Sequence, residues 1–97
     1  MFGIFKKTDY KKLLASGAVI IDVRSKSEFA SGAVPGSENI PLGSLTGRIK
    51  QIKSLGVPVI TVCASGMRSG AAKGQLKAAG IEAHNGGPWT KMLPYVD

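Results

Sequence analysis

Cys63 is the one cysteine in the 97 residues, and it is followed at once by Ala64, Ser65, Gly66, Met67, Arg68 and Ser69, a run of mostly small residues carrying one guanidinium. These residue types at this spacing suit nucleophilic chemistry on an anionic substrate. Small side chains let backbone amides turn inward around a sulfur, and an arginine meets oxyanions with a planar fork of donors. An ordinary thiol with a pKa near 8.5 is only about 3% thiolate at pH 7, and lowering that pKa by about two units, roughly 2.7 kcal/mol, makes the thiolate dominant. A helix N-terminus supplies about 0.3 to 2 kcal/mol of this. The Arg68 charge and several loop amides are expected to supply the rest. The competing role for Cys63, a small buried hydrophobe, fits poorly with its small neighbours and nearby arginine.

The flanking residues predict how the thiol is placed. Val57-Pro58-Val59-Ile60-Thr61-Val62 is rich in β-branched residues and predicts a strand buried on both faces that ends at Cys63. Ala71, Ala72, Leu76 and Ala79 fall at helical spacing and are stopped by Gly80, so a helix follows directly. Between a strand end and a helix start, unpaired amides and the positive end of the helix dipole both favour a negative charge. Upstream, Thr8 is placed to cap a helix containing Tyr10, Leu13 and Leu14 and ended by Gly17, and residues 18–23 predict a strand with Asp22 near its end. Ser25 and Glu28 stand at capping-box spacing for a short helix with Phe29 as its apolar contact and Gly32 as its stop. Val34-Pro35-Gly36 reads as a turn, Asn39-Ile40 as a short strand closed by Pro41, and Leu45, Ile49 and Ile52 as an amphipathic helix before Gly56. Alternating strands and helices imply an α/β fold, a parallel sheet with helices on both faces and right-handed crossovers, in which sites lie at the carboxyl ends of strands.

At these residues the sequence resembles a known family. Cys63-Ala64-Ser65-Gly66-Met67-Arg68-Ser69 is similar to the active-site loop of the single-domain rhodaneses, the thiosulfate sulfurtransferases. Ile20-Ile21-Asp22-Val23-Arg24, Glu28-Phe29, Gly32-Ala33-Val34-Pro35-Gly36 and Asn39-Ile40-Pro41-Leu42 resemble that family's Asp-Val-Arg, Glu-Phe, Gly-His-Ile-Pro-Gly and Asn-Ile-Pro patterns, in order. Asn85-Gly86-Gly87-Pro88-Trp89 is a weaker match near the end. The resemblance implies one rhodanese-like domain over residues 1–97, a three-layer sandwich with a central parallel sheet. It implies a persulfide on Cys63, substrate held by Ala64, Ser65, Gly66, Met67, Arg68 and Ser69 with Arg68 on the anionic end of the donor, and Asp22 and Arg24 beside the site. No cofactor or metal is expected. Four residues separate Cys63 from Arg68, the loop length the resemblance assigns to sulfane sulfur. Related phosphatases and arsenate reductases carry one residue more, and tyrosine-phosphatase-like loops have histidine where Val62 stands. Ala33 replaces the family's common histidine and so removes a polar group near the site. A non-catalytic sulfur-carrier or protein-interaction module, and a small phosphatase or arsenate reductase, remain the alternatives.

Composition narrows the partners. A chain of 97 residues makes one domain, and its single cysteine allows no internal disulfide, so sulfur on Cys63 must leave to an external acceptor. The net charge of +7, with Lys6, Lys7, Lys11 and Lys12 clustered, comes without any helix-turn-helix, zinc or aromatic stacking pattern, which argues against nucleic acid as the partner. The charge fits steering of a small anionic sulfur donor, or docking of an acidic acceptor protein. No apolar run approaches the roughly 18 residues of a membrane span, and the order of apolar and charged residues in Met1-Phe2-Gly3-Ile4-Phe5-Lys6-Lys7 is the reverse of a signal peptide, so no membrane partner and a cytoplasmic protein are expected. His84, after Ile81-Glu82-Ala83, reads as a surface or hydrogen-bonded residue, and Arg24 with Glu28 as a surface ion pair worth at most about 1 kcal/mol.

Overall fold

The computed structural model describes residues 7–96. Helix α1 spans Tyr10–Ala15, α2 Lys26–Ala30, α3 Ile49–Ser54 and α4 Met67–Ala78; the strands are β1 Val19–Asp22, β2 Glu38–Asn39, β3 Val59–Cys63 and β4 Ala83–Pro88. The strands form one parallel sheet in the order β2-β1-β3-β4, with β3, which carries Cys63, between β1 and β4.

Alternate residues of β1 and β3 enter two separate cores. Ile21, Val23, Val59 and Cys63 pack with Leu45, Ile52, Ala72 and Leu76, while Ile20, Ile60 and Val62 pack with Val34 and Met92 beneath Tyr10, Leu13, Leu14 and Trp89. A strand buried on both faces has no polar side to alternate with, which is why residues 57–62 read as a continuous apolar run. Among the described residues no helix is long and apolar enough to cross a membrane.

Two local expectations are corrected, and the reading of His84 as a hydrogen-bonded residue holds. Asp9, not Thr8, caps α1, its Oδ1 accepting from the Lys12 amide at 3.0 Å; Thr8 stands one position too early to reach that amide. The stretch containing Leu45, Ile49 and Ile52 is not one helix but two 3-10 turns, Leu42–Ser44 and Thr46–Arg48, leading into α3, because Gly43, Ser44 and Gly47 weaken a regular helix there. His84 lies inside β4, paired in register with Ile60, and bonds Glu82 Oε2 at 2.8 Å. The two glycines of β4 hide the strand from a propensity reading.

Those glycines have a positional reason. The register of β4 on β3 slips between Thr61 and Val62, so that Thr61 faces Asn85 and Val62 faces Gly87, leaving Gly86 as the extra residue of a bulge. A Cβ on Gly86 would lie 2.9 Å from Ile60 Cγ2, 3.0 Å from Val62 Cγ1 and 3.1 Å from the Thr61 carbonyl oxygen. Gly86→Ala is therefore expected to destabilise by roughly 1 to 3 kcal/mol, on the order of 5 to 20 °C in Tm for a domain of this size. Gly74, in α4 with open space around its Cα, should behave oppositely and gain roughly 0.5 to 1 kcal/mol as Gly74→Ala. Thermal melts of the two variants check both signs.

Candidate active site

Cys63 is the last residue of β3, and the chain turns through Ala64, Ser65 and Gly66 into α4. Gly66 makes that turn possible: its φ is +99°, and a Cβ there would come within 3.3 Å of Gly87 Cα, so the loop is pressed against the β4 bulge. The turn aims amides at the sulfur. Gly66 N–H donates to Cys63 Sγ at 3.0 Å and Ser69 N–H at 3.4 Å, and the Ser69 hydroxyl lies 3.3 Å away.

Cys63 has no exposed surface, and burial is the largest single influence on its thiol, pushing the pKa up. The Ser69 hydroxyl and the amides of Ser69, Gly66 and Ser65 together outweigh burial, and the thiol ends below its ordinary value. Of the loop residues expected to hold substrate, Gly66, Ser69 and Ser65 surround the sulfur. The Met67 amide is 3.4 Å from Ser65 Oγ instead, and the Met67 side chain stands 82% exposed.

Ser69 is fixed from two sides. Its carbonyl accepts from Thr61 Oγ1 at 2.8 Å, tying the first turn of α4 to β3, and its hydroxyl donates to Asn85 Oδ1 at 2.7 Å. Asn85 also donates from Nδ2 to the Gly66 carbonyl at 3.0 Å and accepts the Gly87 amide at 2.9 Å, while its own carbonyl accepts the Tyr10 hydroxyl at 2.8 Å. Asn85 is thus the anchor of the cysteine loop. Its place in the Asn85-Gly86-Gly87-Pro88-Trp89 motif was the only sequence signal for it, and the motif alone gave no role. When Cys63 ionises, the Ser69 hydroxyl can turn its proton to the sulfur, since Asn85 Oδ1 keeps the Gly87 amide.

The charged residues arrange differently from expectation. Arg24 does not pair with the Glu28 carboxylate at the surface; it is buried against Asp22, with Nη2 to Oδ2 at 2.7 Å and Nε to Oδ1 at 3.0 Å. Its remaining donors go to the carbonyls of Gly32 at 2.7 Å and Glu28 at 3.4 Å, and its guanidinium lies 4.8 Å from the Trp89 ring centroid. The reason is register: Asp22 at the end of β1 is directly under the turn that carries Arg24, and a buried carboxylate outcompetes an exposed one for a desolvated guanidinium. Glu28 is taken instead by Arg68, Nη1 to Oε1 at 2.7 Å and Nη2 to Oε2 at 3.0 Å. The Arg68 fork beside Glu28, helped by the Ser25 amide, holds that carboxyl down at about 2. Arg68 is pushed up in return by Glu28, and the fields of Cys63 and Asp22 act on it in the same direction. No cluster of three or more metal-ligating side chains occurs among the described residues.

This arrangement can stabilise an anionic sulfur, and the sequence profile that matches the chain agrees with it: the rhodanese-like domain, over residues 6–87. The chain belongs to the rhodanese-like domain family. An uncharacterized Bacillus subtilis protein, YqhL, is 40% identical over 63 residues, 65% of this chain and 49% of its own length. A tRNA sulfurtransferase from Thermoplasma acidophilum is 31% identical over 74 residues, which is 76% of this chain but 15% of that protein. The chain thus spans half or less of these curated relatives. Among solved structures, an Escherichia coli rhodanese with anions superposes with a TM-score of 0.70 at 30% identity, covering 77% of this chain and 91% of that one. A human single-domain sulfurtransferase, TSTD1, superposes at 0.66 and 27% identity, with 88% and 89% covered. The rhodanese-like fold, a parallel sheet with helices on both faces, is the one the sequence implied.

Two expectations follow. Ser69→Ala should move the pH midpoint of Cys63 alkylation by iodoacetamide upward, toward an ordinary thiol, because it removes a hydrogen bond to the thiolate and leaves burial in place; an unmoved midpoint would remove Ser69 from this role. For Glu28, whose carboxyl is lower in the folded chain than its ordinary 4.5, the stabilisation it brings is complete above that value and lost as pH falls through the interval down to about 2. The Tm difference between wild type and Glu28→Gln should therefore be present at pH 6 and shrink across that acid range.

Proposed function

We propose that this rhodanese-like chain is a sulfurtransferase that moves sulfane sulfur, from a donor such as thiosulfate to an external thiophilic acceptor, through a persulfide on Cys63. The observation that carries this reading is the set of donors around the buried Cys63 Sγ, two amides and one hydroxyl within 3.4 Å. Donors fixed before the reaction stabilise developing charge without reorganising, which is where such sites gain most of their rate. Two sulfurtransferases among the similar proteins support the same class of chemistry.

The thiolate of Cys63 attacks the outer sulfur of thiosulfate. A bond forms between the two sulfurs, the bond to the sulfonate sulfur breaks, and sulfite leaves with its electron pair, so that one thiolate and one dianion become one persulfide anion and one sulfite dianion. The loop amides then hold the persulfide. An acceptor nucleophile takes the outer sulfur and returns the Cys63 thiolate; with a single cysteine in the 97 residues, that acceptor is a second molecule, an external thiol or an acidic sulfur-acceptor protein drawn by the +7 charge. Arg68 stands in the cysteine loop with its fork on Glu28, and Asp22 with Arg24 forms a buried pair at the end of β1.

Mixing the chain with excess thiosulfate and no acceptor should release sulfite in a burst of about one equivalent per chain, as expected of double displacement. Cys63→Ser should release none. Sulfite from Cys63→Ser, or continuous release by wild type without acceptor, would contradict the mechanism.

A further inference from the structure

Both arginines near the site are already matched. Arg24 spends its fork on Asp22 and two carbonyls in the interior, and Arg68, the guanidinium of the cysteine loop, has both terminal nitrogens on the Glu28 carboxylate. Arg68 and Glu28 are each only partly exposed, at 40% and 36%, and Glu28 is held in place by more than the arginine. Its Oε1 accepts the Ser25 amide at 3.0 Å and the Ser25 hydroxyl at 3.0 Å, the capping box of α2. The carboxylate is therefore fixed by a helix cap, on a face where a sulfonate would need the same fork.

The charges that meet in the reaction make this matter. Thiosulfate brings two negative charges to a thiolate, three in all, and a paired Arg68 offsets none of them because Glu28 cancels it. A protonated alkyl persulfide brings none. The Cys63 thiolate attacks the outer sulfur of R–S–SH, the Cys63–sulfur bond forms as the donor's sulfur–sulfur bond breaks, the donor leaves as R–S⁻, and the proton stays on the transferred sulfur. One negative charge enters this exchange and one leaves, with no oxidant or reductant consumed.

We propose that Glu28 is a specificity-determining positioning residue: by occupying the Arg68 fork it disfavours dianionic donors and matches the Cys63 loop to sulfane sulfur carried on a thiol. This deepens the sulfur-transfer reading above and rests on it.

Glu28→Gln is the discriminating variant, since glutamine keeps an oxygen for the Ser25 cap and loses both the charge and the second acceptor that bind Arg68. The probes are thiosulfate and the persulfide of 2-mercaptoethanol, whose carrier group is uncharged, each with the same acceptor thiol. Wild type is expected to use the persulfide with a kcat/KM at least about 10-fold above that for thiosulfate, the scale of one charge-assisted hydrogen-bond pair. In Glu28→Gln the KM for thiosulfate should fall by about 10-fold with kcat within about 2-fold, while kcat/KM for the persulfide stays within about 3-fold. A purely structural role for Glu28 would move both donors together and would lower kcat.

An unchanged or raised thiosulfate KM in Glu28→Gln, equal gains for both donors, or a wild type that prefers thiosulfate overturns the proposal. The last of these needs no variant, so the proposal is decided even if Glu28→Gln does not fold. If neither donor places sulfur on Cys63, it is the sulfur-transfer reading itself that fails.

Discussion

A buried sulfur anion has to be met by donors the chain supplies itself, and most of this structure near Cys63 answers to that constraint. Burial on its own raises the thiol, and the amides of Gly66, Ser65 and Ser69 with the Ser69 hydroxyl reverse it. Amides in a loop point where they are held. Here Asn85 holds the Gly66 carbonyl and the Ser69 hydroxyl at once, Thr61 holds the Ser69 carbonyl, and Tyr10 of α1 reaches the Asn85 carbonyl from the opposite layer. The β4 bulge at Gly86 and the contact of Gly66 with Gly87 bring that strand close enough for Asn85 to serve both groups. The donors around the sulfur are thus a property of three elements, β3, α4 and β4, and not of the loop alone.

Charge near the site is nearly balanced although the chain carries +7. Asp22 with Arg24 forms a buried pair at the end of β1, and removing either partner would leave an uncompensated interior charge, a loss on the order of 3 to 5 kcal/mol. Glu28 with Arg68 forms the half-exposed pair at the loop itself. Lys26, Lys50, Lys53, Lys77 and Lys91 are all exposed. Such a surface attracts anions at long range, screened by salt, while the site selects at short range.

Much of this was legible in the residues. The β-branched run before Cys63 located the central strand because burial on both faces leaves no polar alternation to confuse it, and the Ser25 and Glu28 spacing located α2 because a capping box has a fixed geometry. Pairing was not legible. Arg24 and Glu28 are four apart and suggested each other, but Asp22 and Arg68 took them, since the sheet brings residue 68 to residue 28 across a distance no local rule reports. β4 was obscured because its glycines serve a bulge and a close approach, not strand propensity, and with it went the role of Asn85. The stretch from Leu42 to Ser54 kept its apolar spacing but broke into short turns where glycine and serine intervene.

The proposed chemistry makes Cys63 the carrier of transferable sulfur. Incubation of the chain, purified without reductant, in excess thiosulfate, followed by intact mass and peptide mapping, tests it most directly. The expected result is a gain of one sulfur atom, located on the peptide containing Cys63, that cyanide removes. An unmodified mass, or the same gain in Cys63→Ser, would contradict it.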